Sequence, residues 1–134
     1  MRNLKIASFG ALLAATLATA SVAQPPAISG KPLMTQPLIG VTGKEVTMTE
    51  LLLPPGANSP PHRHDANTFV YVLEGTVEMQ VAGGPLMKLA AGQTFYESPA
   101  DVHTVSHNPS TTAPARILVT MVKDVGKPAT TPVR

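Results

Sequence analysis

Short runs of alternating hydrophobic and polar residues recur along the middle of the chain, separated by glycine, proline and asparagine. Alternation with a period of two sends successive side chains to opposite faces and is typical of β-strands. The pattern predicts six to eight strands, and the runs are Val46–Leu53, Thr68–Leu73, Thr76–Val81, Pro85–Leu89, Gln93–Glu97, Val102–His107 and Ala115–Val122. After residue 23 no stretch has a helical period with caps. The sequence therefore predicts an all-β domain, a sandwich or a barrel with jelly-roll closure.

The N-terminus has the three-part pattern of an export signal. Arg2 and Lys5 precede an apolar run, Ile6–Ala18, and small residues follow up to Ala23. The apolar run is shorter than the roughly 20 residues that a membrane-spanning helix needs. We therefore expect residues 1–23 to be a signal peptide cleaved after Ala23, and the mature protein to be periplasmic or secreted. The alternative is a retained N-terminal anchor.

Proline-rich segments flank the patterned region and set its expected limits. Residues 24–37 contain four prolines, which disfavour both a helix and a central strand, so we interpret them as an extended arm. This arm is either disordered or lies against the domain or a partner subunit. Residues 123–134 have a similar composition and are expected to form a disordered tail. The folded β-barrel domain is expected to span residues 38–122.

Composition narrows the function classes. The 134 residues suit one domain, and the absence of cysteine excludes disulfides, thiolate metal sites and cysteine nucleophiles. The chain has 10 basic and 8 acidic residues, and two of the basic ones lie in the leader, so the mature protein is neutral. Neutrality gives no support for nucleic-acid binding. No segment after the leader is long enough to cross a bilayer.

The four histidines form two clusters and are the strongest chemical signal. On one extended strand, His62 and His64 would share a face with Cα atoms about 6.6 Å apart, which lets two rings converge on one ion. His103 and His107 would likewise share a face. A strand that carries the second cluster can bring His103 opposite the first pair. Three neutral imidazoles with open coordination positions form a catalytic type of metal shell.

The first histidine cluster lies inside a longer pattern. It runs Gly56, five residues, His62, one residue, His64, three residues, Thr68, six residues, Gly75. This pattern closely resembles the first motif of the cupin superfamily, G-x5-H-x-H-x3-E-x6-G. Thr68 departs from it, because the family usually has glutamate there.

The second cluster resembles the second cupin motif, G-x5-P-x-G-x2-H-x3-N. The spacing of Gly92 and His103 fits, whereas Ser98, Ala100 and His107 replace the usual proline, glycine and asparagine. The two motifs together cover most of the mature chain and identify it as similar to small single-domain cupins. The resemblance implies a β-barrel of two antiparallel sheets, with a divalent metal near one open end.

Carried over position by position, the resemblance makes His62, His64 and His103 metal ligands. Thr68 has no carboxylate and its hydroxyl is a poor ligand, so the usual shell of three histidines and one glutamate is reduced to three histidines. That shell resembles the all-histidine iron sites of some cupin dioxygenases. The implied cofactor is one divalent ion, with Fe, Zn, Mn, Co and Ni left open.

Three further residues are candidates for catalysis. His107 is a candidate proton shuttle or fourth ligand, with a buried supporting role as the alternative. Glu97 is a candidate general base or substitute ligand, with a solvent-facing position as the alternative. Tyr71, like Tyr96, is a candidate hydrogen-bond donor to substrate, although an aromatic residue on a barrel strand is also typical of a core or an interface.

These observations favour an exported metal-dependent enzyme, dioxygenase-like, that acts on a small oxygen-rich organic anion. The alternatives are a metal-dependent isomerase or hydrolase, a non-catalytic module that binds or senses a small ligand, and a structural barrel with vacant histidines. The expected partners are a small-molecule substrate or ligand, without nucleic acid and without a membrane once the leader is removed. A homodimer is a further expectation, because exposed barrel sheets commonly pair.

Overall fold

The fold is all-β in the part of the chain that the structure describes. The structure is a computed structural model, and it describes residue 24 and residues 26–133. Every regular element in these residues is a strand, as predicted: β1 (Ser29–Pro37), β2 (Lys44–Leu53), β3 (His62–Arg63), β4 (Ala66–Glu74), β5 (Thr76–Val81), β6 (Met87–Ala90), β7 (Thr94–Glu97), β8 (His103–His107), β9 (Ala115–Asp124) and β10 (Thr131–Pro132).

The strands form two five-stranded antiparallel sheets. The first has the order β1-β2-β9-β4-β7 and the second has the order β10-β3-β8-β5-β6. The longest pairing joins β2 to β9, from Lys44 opposite Asp124 to Leu53 opposite Ala115. Several connections cross from one sheet to the other, so the two sheets together enclose a single interior, as in a jelly roll.

The hydrophobic core lies between the two sheets. Alternate positions of the central strands of the first sheet are buried, and on β4 and β9 the apolar ones are Ala66, Val70, Val72, Ala115, Ile117, Val119 and Met121. Val77, Met79 and Leu89 of the second sheet belong to the same cluster. Burying one such large aliphatic side chain stabilises the fold by about 1.5–3 kcal/mol. The alternation recognised in the sequence therefore supplies the core.

The sheets extend beyond the limits expected for the domain, residues 38–122, at both ends. The expected arm contains β1, which pairs with β2 at the edge of the first sheet. Proline lacks the N–H that a central strand would donate, but an edge strand tolerates it, and the register shifts between Pro32 and Met34. The expected disordered tail contains the last residues of β9 and all of β10, which pairs with β3.

The expected signal peptide, residues 1–23, lies outside the described residues. Among the residues that are described, no helix has the length and apolarity required to span a membrane.

Candidate metal centre

His62 and His64 are held by backbone carbonyl oxygens so that their other ring nitrogens face each other. The Nδ1 of His62 lies 2.9 Å from the Pro60 oxygen, and the Nδ1 of His64 lies 2.6 Å from the Ala129 oxygen. Because a carbonyl only accepts, each Nδ1 carries the proton and each Nε2 presents a lone pair. The two Nε2 atoms are 3.1 Å apart.

His103 completes the group from the neighbouring strand. It is the Cα partner of His62 in the pairing of β3 with β8, and its side chain is only 4% exposed. The His103 ring centroid lies 5.0 Å from that of His62 and 6.3 Å from that of His64. One ligand atom from each of the three residues lies within 4.8 Å of the others. The structure thus brings together the three histidines that the motifs single out.

The donor set fits a divalent metal ion. Two imidazole lone pairs that face each other at 3.1 Å repel unless a cation lies between them. Burial lowers the pKa of His64, and burial together with the neighbouring His62 and His64 lowers the pKa of His103 to about 4, so both rings favour the neutral form that ligates a metal. Nitrogen ligands about 2.0–2.1 Å from a tetrahedral Zn²⁺ lie about 3.3 Å apart. The group therefore suits a metal.

Glu97 is the carboxylate of this site. It is the last residue of β7 and only 2% exposed. Its Oε2 lies 3.3 Å from Nδ1 of His103 and 3.7 Å from Nε2 of His64. Burial, followed by the charge of Asp101, raises the pKa of Glu97 to about 7. Glu97 therefore lies inside the barrel, within the site, and does not face solvent.

The histidines and Glu97 line a cavity of about 210 Å³ between the sheets. Its other walls are aliphatic side chains, methionines and hydroxyls, contributed by Ile28, Thr47, Thr49, Leu51, Ser59, Val70, Met79, Ser106, Ile117, Val119, Met121, Ala129 and Thr130. No lysine or arginine is among these lining residues. The cavity is smaller than the roughly 300–1,000 Å³ typical of pockets for drug-sized ligands.

The sequence matches the cupin domain family over residues 49–121, which is more than half of the chain and includes both histidine motifs. The chain belongs to the cupin family. No curated protein matches the sequence.

Several solved structures share the fold of this cupin. A conserved Streptococcus pyogenes protein of unknown function superposes with a TM-score of 0.58 at 18% identity, covering 72% of this chain and 74% of that one. The DMSP lyase DddQ from Ruegeria pomeroyi superposes with a TM-score of 0.55 at 22% identity, and the match covers 62% of this chain and 41% of the lyase. An oxalate oxidase in complex with the substrate analogue glycolate superposes with a TM-score of 0.55 at 23% identity, and the match covers 64% of this chain and 45% of the oxidase. This cupin thus spans less than half of both enzymes, and the likeness concerns the fold.

His107, predicted to share the inward face of His103, lies outside the cavity of this cupin. Val105 pairs with Gln80 and His103 with Val81, so Thr104 is an extra residue that forms a β-bulge. A bulge breaks the two-residue alternation. The His107 ring instead lies 3.2 Å from the Glu78 carboxylate, and its side chain is 34% exposed. The role of proton shuttle or fourth ligand is corrected accordingly.

Tyr71 also lies away from the cavity. Its neighbours on β4, Val70 and Val72, face the core, so Tyr71 projects from the outer face of the first sheet and is 44% exposed. Tyr96 lies on the same outer face and donates a hydrogen bond to Asn67. Neither tyrosine lines the cavity, and the role of substrate donor predicted for Tyr71 is corrected.

Sequence reasoning missed the contribution of the C-terminal segment. The Ala129 oxygen orients the His64 ring, and Ala129 and Thr130 line the cavity. Every residue has a backbone carbonyl, so no sequence motif could have indicated that the Ala129 oxygen contacts His64. The segment resembles a tail in composition and is placed only by its pairing with β3.

Proposed function

We propose that this cupin is a metal-dependent enzyme, dioxygenase-like, that acts on a small oxygen-rich organic anion. The observation that carries the proposal is the composition of the cavity. Three imidazoles converge in it, whereas none of the lysines and arginines that the structure describes lines it. A buried anion needs a counter-charge, and a metal ion on His62, His64 and His103 is the one that this cavity offers.

The residues of the chain have separate tasks in this proposal. His62, His64 and His103 would hold the ion, with the carbonyls of Pro60 and Ala129 fixing the orientation of the first two rings. When bound, a redox-active divalent ion supplies the Lewis acid for the anionic group of the substrate and activates dioxygen. The largely aliphatic walls and the volume of about 210 Å³ restrict the substrate to a small molecule.

A non-catalytic binding or sensing module is the second candidate, and one observation favours it. His107 and Tyr71 lie outside the cavity, so neither can transfer a proton in it. Apart from the three histidines, Glu97 is then the one acid–base side chain among the lining residues. An enzyme that moves several protons would need more such groups. Capture of a small anion by the metal needs no groups that transfer protons.

Oxygen uptake distinguishes these candidates. Protein reconstituted with Fe²⁺ would be assayed in an oxygen electrode against a panel of diketones, catechols and thiols, with substrate loss followed in parallel. We expect oxygen consumption to match substrate loss for one class, since a dioxygenase places both oxygen atoms in its product. The matched variant His103→Gln should abolish it.

Other results of the same assay would overturn the oxygenase proposal. Product formation without oxygen consumption would favour an isomerase or hydrolase. Ligand binding by calorimetry, without turnover of any panel member, would favour the binding module. Oxygen uptake that is equal in wild type and His103→Gln would assign the activity to free iron.

We further propose that the protein is exported, on the basis of the residue pattern at positions 1–23. Expression of the full chain in a Gram-negative host, followed by mass spectrometry of the periplasmic fraction, tests this. The expected mature protein begins at Gln24. A protein that retains residues 1–23 would contradict cleavage.

A further inference from the structure

The residue at the usual glutamate position of this cupin lies directly beside Glu97. Thr68 on β4 and Glu97 on β7 are Cα partners in the first sheet. Both side chains face the interior, where Thr68 is fully buried and Glu97 is 2% exposed. Directly opposed residues in antiparallel strands have Cβ atoms about 4.5–5.5 Å apart. A glutamate side chain on β7 therefore extends into the space that a glutamate on β4 would use.

The polar atoms around this pair lack partners within the protein. In the described part of the chain, four buried side-chain atoms form no hydrogen bond: Oγ1 of Thr68, Oε1 of Glu97, and both ring nitrogens of His103. Buried polar atoms without partners are costly and rare. All four belong to one site, which indicates that the site binds something.

No lysine or arginine in the described part of the chain neutralises Glu97. Among the residues that the structure describes, the basic side chains within 4 Å of its carboxylate are His64 and His103. A buried carboxylate normally pairs with a cation or coordinates a metal. Oε2 of Glu97 lies 3.7 Å from Nε2 of His64, the ring nitrogen that presents a lone pair, and this separation is near the spacing of ligand atoms around one ion.

We propose that Glu97 is the carboxylate ligand of the metal, and that the ligand has moved from position 68 on β4 to position 97 on β7. The inference rests on the three-histidine centre proposed above and adds one anionic ligand to it. A divalent ion in this shell carries a net charge of +1 rather than +2. The shell then has the ligand types of a three-histidine, one-glutamate site while keeping threonine in the first motif.

Metal titration of three variants tests the inference. Dissociation constants for Mn²⁺ and Co²⁺ would be measured by competition with a chelator, with circular dichroism to verify folding. Glu97→Gln should weaken binding more than about 100-fold, beyond the 10–100-fold typical of residues that only support a ligand. The double variant Thr68→Glu, Glu97→Thr should recover most of the affinity, because it returns the carboxylate to β4.

Glu78→Gln is the matched control, because Glu78 also contacts a histidine, His107, but outside the cavity. It should leave the affinity unchanged. The absorption bands of bound Co²⁺ provide a second readout, which does not depend on folding of the double variant. They should change in position or intensity in Glu97→Gln and stay unchanged in Glu78→Gln.

The outcomes separate the inference from the proposed metal centre. If wild type binds metal and Glu97→Gln weakens it less than about 100-fold, or leaves the Co²⁺ bands unchanged, Glu97 is not a ligand. A folded double variant that regains no affinity likewise overturns the transfer of the ligand between strands. If wild type binds no metal at all, the three-histidine centre fails and the inference fails with it.

Discussion

His107 and Tyr71 carry groups that act as acids and bases in many enzymes, but both lie on the outside of the barrel. We therefore expect His107→Gln and Tyr71→Phe to keep metal content and turnover within about twofold of wild type, as surface substitutions usually do. Elemental analysis and oxygen uptake, measured beside His103→Gln, check this. Loss of metal in His107→Gln would show that the bulge does not turn this ring outward.

The four histidines show what residue spacing alone can predict. His62 and His64 are separated by one residue on a short extended segment, so the alternation rule predicts their shared direction. Between His103 and His107 the rule fails, because Thr104 is bulged. Asn108, one residue past the asparagine position of the second motif, is fully buried and donates hydrogen bonds to the carbonyls of Leu53 and Ala113. A bulge of one residue has no signature in a single sequence.

The C-terminal segment links the edge of the second sheet to the metal centre. Ala129 orients His64, and β10 pairs with the strand that carries His62. Ending the chain after Pro128 should weaken metal binding about 10–100-fold, because the imidazole loses its orienting acceptor. The affinity would be measured by chelator competition. Ending the chain after Pro132 is the control and should have no effect, while equal affinity in both truncations would contradict this role.

Strands β2 and β9 share a buried ion pair that makes stability depend on pH. Lys123 donates to Glu45 at 2.5 Å, and both residues are less than 10% exposed. The hydrogen bond from Lys123 lowers the pKa of Glu45, an effect that burial opposes and the Gly126 amide reinforces. A depressed carboxylate pKa stabilises the fold above the unfolded value, about 4.3, and this contribution is lost as the pH falls through the folded value.

Urea unfolding between about pH 7 and pH 3 measures this effect. The double variant Glu45→Gln, Lys123→Met removes both charges and so leaves neither buried without its partner. Its stability should fall less steeply on acidification than that of wild type. Parallel curves for the two proteins would contradict a role for this pair in acid sensitivity.

For the molecule as a whole, the sequence predicts the strands of the patterned region well, including the edge strands β6 and β7, and misses the edge strands β1 and β10 near the two ends of the chain. Core strands such as β4 and β9 have one buried face, so their alternation is visible in the sequence. The edge strands β1 and β10 contain proline, and little of either is buried, so only pairing with a neighbour defines them. Pairing between distant segments depends on tertiary structure and not on local residue type.

The metal centre, too, is only partly predictable from the sequence. The three histidines carry a spacing that the sequence displays, and the structure places them together. The neighbourhood of Glu97 depends on the register of β7 against β4, which no local pattern determines. The cavity is likewise a property of both sheets and of the C-terminal segment.

The most direct test of the account is the metal content of the purified protein, compared with that of the double variant His62→Ala, His64→Ala. Elemental analysis after incubation with Fe²⁺, Mn²⁺ or Zn²⁺ and removal of excess ions should find close to one ion per wild-type chain and none in the variant. Equal metal content in the two folded proteins, or no bound metal in either, would contradict a centre built on these imidazoles.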